Sequence, residues 1–320
     1  MTDQTTDLLA SLDRIAELDS LQRDAAMRET SWILRASGDE IRRILQGILD
    51  RSPALGPIQD AFLAAVFRRV LARQSGAAAG ATPLPLDDAI LGQAAALYRH
   101  LGPPSVARPY LLCLLTGART PWALATFSEL IVADPPGDST SVAAVFGPLF
   151  QHRDYDPAFL FPALLDGLKH VSLAAAILDL SNFVTRERIV PQHPAAGRSQ
   201  EISLLLAGLV ARLSQIESSP PATGPELEAF SRQAKEGISL AVSLCDALAL
   251  IGDKSAVGKL LARHVHAPFI DSDAEIEQRT GVDIAYIFEK EGEAGFRQRE
   301  REVIDSLTAM EPVVVSTGGG

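Results

Sequence analysis

From the N-terminus to about residue 262, apolar side chains recur three and four positions apart, and this period constrains the fold more than any other feature of the chain. Ile58, Phe62, Val66 and Val70 form one stripe beside Leu63, Phe67 and Leu71, while Arg68, Arg69 and Arg73 take the opposite face. Such a segment is an amphipathic helix that packs on neighbours. Start and stop signals are frequent. Thr120-Pro121 and Asp156-Pro157 place a capping side chain before a proline at the first helical position, and Gly102 before Pro103-Pro104 ends a helix. The helices are therefore short. Gly, Ala and Pro accumulate at 74–88, 190–200 and 217–226, which read as surface loops or linkers. No run with a period of two is long enough to make a convincing strand in this region. The pattern predicts an all-α array of helix pairs of the α-solenoid type.

Composition agrees with a folded chain. At 320 residues, 47% hydrophobic and 6% aromatic, it can bury a large, mostly aliphatic core, and its length favours about two domains. Cys113 and Cys245 lie in apolar helical patterns without partners at metal-ligand spacing, so both are expected to be buried, with neither disulfide nor zinc. The acidic, amphipathic N-terminus lacks the basic and continuous apolar stretches of a leader, and no run is long enough to cross a bilayer. The expected location is the cytoplasm, with no membrane partner. The formal net charge of -11 argues against nucleic acid as a partner. Residues 271–320 hold 12 acidic and 5 basic side chains, so the chain changes character near residue 268. Ile276, Ile284, Ile287, Phe296, Val303 and Leu307 keep helical spacing there, which marks a folded segment with a solvated face.

The stretch LCDALALIGDKSAVGKLLARHV, residues 244–265, allows two readings. In one it is a strand, a phosphate loop ending in Lys254-Ser255, and a helix. A phosphate loop needs glycines where backbone N–H groups converge on the phosphates, and this chain has Leu248 and Asp253 at those positions. A carboxylate beside the phosphates costs on the order of several kcal/mol in a partly dry site. In the other reading Gly252 ends one helix and Asp253 caps the next, which suits both residues. We take the turn between helices as the expectation. The phrase ALALIGDKSAVGKLLA, residues 247–262, then resembles a HEAT-type repeat.

The segment HAPFIDSDAEIEQRTGVDIAYIFEKEGEAGFRQREREVIDSLTAMEPVVVSTGGG, residues 266–320, resembles the N-terminal half of shikimate kinase, a phosphate-loop enzyme that phosphorylates the 3-hydroxyl of shikimate with ATP. The likeness rests on FIDSD, IEQRTG, IAYIFEKEGEAGFR and VVVSTGGG. It implies that Asp273 binds shikimate hydroxyls and takes the proton of the attacking one, and that Arg297 pairs bidentately with the shikimate carboxylate. By the same resemblance Glu300 supports Arg297 and binds the substrate, and Gly318, Gly319 and Gly320 let the backbone approach the ring. Lys254 and Ser255 would serve the nucleotide, with Ser255 and Asp271 assisting magnesium.

The expected organisation is a helical, HEAT-like domain over 1–262 and a small, incomplete α/β segment over 263–320 whose two strands pair in parallel. The expected function is a protein-interaction scaffold that engages a protein partner through its helical array and carries a non-catalytic shikimate-kinase-like segment, with weak shikimate binding and no cofactor. The end of the chain directly after the glycines belongs to that expectation, because the lid and adenine pocket of the family would follow them. The alternatives are a shikimate kinase with a degenerate phosphate loop, which would use Mg-ATP, or an artificial or truncated fusion of two sequences.

Overall fold

The computed structural model describes residues 3–51, 56–77, 82–218, 225–252, 258, 262, 267–310 and 312–317. The chain divides into two compact units, Met1–Pro194 and Ala195–Gly320. The division falls in the Pro-rich break at 190–200, and the boundary near 262 drawn from the sequence lies inside the second unit.

Among the described residues of the first unit every regular element is a helix: α1 (Gln4–Arg14), α2 (Ser20–Glu29), α3 (Gly38–Arg51), α4 (Pro57–Ser75), α5 (Asp88–His100), α6 (Arg108–Ala118), α7 (Pro121–Ala133), α8 (Ser139–Gln151) and α9 (Val171–Arg186), with short 3-10 turns between some of them. Local chemistry sets the starts. Asp19 and Gln22 form a reciprocal capping box on α2, Asp87 caps α5, and Thr120 accepts from the Ala123 N–H ahead of Pro121 in α7. Asp156-Pro157 begins only a 3-10 turn, Pro157–Phe159. Gly76 ends α4 in the left-handed conformation, with φ of 70°.

Packing joins elements one or two steps apart in the chain, such as α3 with α5, α4 with α6 and α6 with α8. Within α6, Leu111, Leu112, Cys113, Leu114 and Leu115 are all buried, because α4, α5, α7 and α8 surround it. A helix that is apolar on every side has to be enclosed in this way. Arg108 at its start is buried as well. Its guanidinium lies 4.0 Å over the Tyr98 ring, Nε donates to the Tyr98 carbonyl at 3.2 Å, and its head pairs with Asp134.

In the second unit α10 (Ser199–Ser218) packs on α11 (Pro225–Ile251). Then follow β1 (Phe269–Asp271), α12 (Ser272–Thr280), α13 (Ile284–Thr308) and β2 (Val314–Ser316). The strands pair in parallel, Phe269 with Val314 and Asp271 with Ser316. Ile276, Ile287, Phe296, Val303 and Leu307 form the core of this segment, with Ile270, Ile284 and Val315 packed against it. Of the cysteines, Cys113 is buried as expected and Cys245 is exposed, contrary to expectation. The outward stripe of α11 is itself apolar, so hydropathy alone misassigns its face. No described helix is long and apolar enough to cross a membrane.

Candidate functional site

The ambiguous stretch at 244–265 settles on its helical side as far as it is described. Residues 248–251 belong to α11, Leu248 is fully buried, and the Gly252 N–H donates to the carbonyls of Leu248 and Ala249 at 3.1 and 3.2 Å. Gly252 has φ of 79°, the left-handed cap that ends the helix. Gly258 and Ala262 are again helical. Lys254 and Ser255 lie outside the described residues, as do Asp253 and the three glycines Gly318, Gly319 and Gly320.

The polar residues singled out in the C-terminal segment do come together. Asp271 closes β1 and caps α12, its Oδ1 accepting from the N–H groups of Asp273 and Ala274 at 3.0 and 3.3 Å. This fixes the backbone at Asp273. Burial pushes the Asp273 carboxyl above its ordinary range, and the charges of Asp271, Glu300 and Glu277 push it further, against the pull of Arg297. Its Oδ1 is buried and lacks a hydrogen-bond partner. On α13, Arg297 Nη1 donates to Glu300 Oε2 at 2.8 Å, one turn along the helix. Glu300 is nearly buried, with 12% of its side chain exposed, whereas the Arg297 side chain is 41% exposed. The outcome is a carboxylate with an unsatisfied oxygen, within electrostatic reach of a guanidinium that a second carboxylate orients.

Phe296, next to Arg297, is buried and stacks on Phe288 with ring centroids 4.6 Å apart. This anchors the part of α13 that carries Arg297. Glu277 escaped the sequence reading, although its spacing of one helical turn from Asp273 could have flagged it. Its Oε1 accepts from the Ile284 N–H at 3.1 Å and ties α12 to the start of α13. Among the described residues no group of three or more His, Cys, Asp or Glu side chains is arranged to hold a metal ion. In this structure Asp271 serves as a helix cap.

The constellation sits on a β-α-α-β segment with an acidic strand end. Residues 253–320 match the shikimate kinase family model. The match takes in Lys254 and Ser255, upstream of residue 266. Curated shikimate kinases repeat the result: that of Psychromonas ingrahamii is 55% identical over 67 residues, that of Haemophilus influenzae 57%, and that of a Psychrobacter species 60%. Each alignment covers 21% of this chain. The chain spans between 37% and 39% of the length of these relatives. The C-terminal segment is thus similar to shikimate kinase. No solved structure matches the chain.

Proposed function

We propose that residues 253–320 retain the acceptor-binding side of a shikimate-kinase-type site without its catalysis, and that the helical remainder is a scaffold that binds another protein. Asp273 binds the hydroxyls of shikimate, Arg297 its carboxylate, and Glu300 orients the guanidinium; Gly318, Gly319 and Gly320 belong to the same acceptor side. What supports binding is the assembly of Asp273, Arg297 and Glu300 in one electrostatic cluster, on a stretch at least 55% identical to shikimate kinases.

The observation that carries the non-catalytic reading is the helix over 248–251. A phosphate cradle needs backbone N–H groups free to point at an anion, and phosphoryl transfer depends almost wholly on such positioning and charge neutralisation. Over 248–251 the backbone is instead helical, and Leu248 is packed in the core where the loop would need glycine. This supports the absence of a phosphate cradle ahead of Lys254. A second reading, an active kinase, is favoured by Asp273, whose carboxyl is raised by burial and neighbouring acids, the direction that makes a carboxylate a better proton acceptor.

Calorimetric titration of the whole protein tests both readings. Shikimate is expected to bind weakly, and Arg297→Ala to reduce that binding at least tenfold, the usual consequence of losing a bidentate charge pair. Mg-ATP is expected to give no heat up to millimolar concentration. Formation of shikimate 3-phosphate from ATP would establish the second reading instead.

A further inference from the structure

One feature of α11 has no part in the proposed site. Ile238, Val242, Cys245 and Ala249 are all exposed, the first two at 57% and 58%. Their spacing of four, three and four residues confines them to an arc of about 60° on a helix of 3.6 residues per turn. A solvent-facing side of a helix normally carries charge. Here it carries a continuous apolar seam opposite the buried face of Leu240, Leu244, Ala247 and Leu248.

We infer that this seam pairs α11 with α11 of a second copy of the chain, antiparallel and around a two-fold axis between Ser243 and Leu244. The seam is symmetric about that point. Antiparallel pairing in this register sets Ile238 against Ala249 of the second copy and Val242 against its Cys245, so each layer matches a larger side chain with a smaller one. A two-fold interface requires this self-complementarity. Charge agrees. Lys235 is exposed and has no ion pair among the described residues. One turn before Ile238, it would lie opposite Gly252 of the second copy, at the negative end of that helix's dipole. Four layers cover only about 17 Å of helix at 1.5 Å per residue. That is less than a standard interface buries, so the dimer should be reversible and micromolar rather than permanent.

Sedimentation velocity on the whole protein under reducing conditions, from about 1 to 200 μM, spans the affinity expected of so small an interface. The sedimentation coefficient is expected to rise from monomer to dimer across this range. Val242→Glu should hold the protein monomeric throughout with unchanged helical circular dichroism. Lys235→Glu leaves the seam intact and reverses only the charge facing the helix end, so it should weaken dimerisation about threefold to tenfold, and it serves as the test if Val242→Glu disturbs folding. A short bis-maleimide should produce a covalent dimer through Cys245 that Cys245→Ser abolishes, since Cys113 is only 5% exposed. A monomer at every concentration, or a dimer indifferent to both Val242→Glu and Lys235→Glu, would overturn the inference.

Discussion

Asp273 shows how a side chain can be placed against its own stability. Its carboxyl is pushed up by burial and by three neighbouring acids, and one of its oxygens is buried without a partner. The folded state therefore disfavours the ionised form. The sign of the pH effect follows: below the ordinary carboxylate range both folded and unfolded states are protonated and nothing is lost, and as pH rises the unfolded state ionises first, which destabilises the fold until the raised value is passed. Asp273→Asn mimics the protonated form. It is expected to raise the midpoint of thermal unfolding of the second unit at pH 7, with a gain that vanishes toward pH 3, while shikimate affinity falls. A lower midpoint at pH 7 would mean that the carboxylate is better satisfied than its surroundings indicate. Stability given up for a polar group that waits for a ligand is the usual signature of a binding residue.

At the scale of the element, α13 is two helical stretches joined across a kink at Gly292. Gly292 has φ of 68° and ψ of -176°, a region that only glycine occupies readily. Arg299 and Glu291 are joined by two hydrogen bonds of 2.8 and 2.7 Å beside this break. A methyl group at Gly292 would meet nothing within 4 Å, so any penalty there is conformational and not steric. Gly292→Ala is expected to destabilise the second unit by about 1–3 kcal/mol, the cost of a strained backbone position. Denaturant titration measures it, and a loss below about 0.5 kcal/mol, the ordinary range for surface substitutions, would show that α13 can straighten without consequence.

At the scale of the molecule, Met1–Pro194 has its own core, built around the enclosed α6. Residues 1–194 alone are expected to unfold in one cooperative thermal transition followed by helical circular dichroism; a gradual loss of signal would show that the unit depends on the rest of the chain. His193 gives that unit its own pH dependence. It is buried, hydrogen-bonded through Nε2 to Asn182 at 3.0 Å, and its pKa is pushed down to about 4 by burial. Above the ordinary histidine value of 6.5 both states are neutral there and the stability is complete. As pH falls toward 4 only the unfolded state takes up the proton, and stability on the order of a few kcal/mol is lost. His193→Gln keeps a donor for Asn182 and is expected to flatten the dependence of unfolding on pH between 6.5 and 4.

What the sequence determined by itself is local. Helical period, caps such as Asp87 and Thr120, and the glycine that ends α11 all act within one or two turns of chain, so the helical character of the protein and the end of α11 at Gly252 were legible without coordinates. The strands at Phe269 and Val314 were legible as well, through likeness to shikimate kinase and not through any local rule, and the same likeness singled out Asp273, Arg297 and Glu300 for a proposed role. Tertiary structure decided the rest. Whether the apolar seam of α11 faces inward or outward depends on which of two apolar faces α10 covers, and Cys245 lies on the uncovered one. The carboxyl of Asp273 is raised first by burial, and the packing of α12 on α13 brings in two charges from more than twenty positions away, Glu300, which raises it further, and Arg297, which opposes the rise. The division into Met1–Pro194 and Ala195–Gly320 falls in the Pro-rich break at 190–200. Period and capping fix what an element is; only the packing of separate elements fixes which of its faces meets protein and which charges share a site.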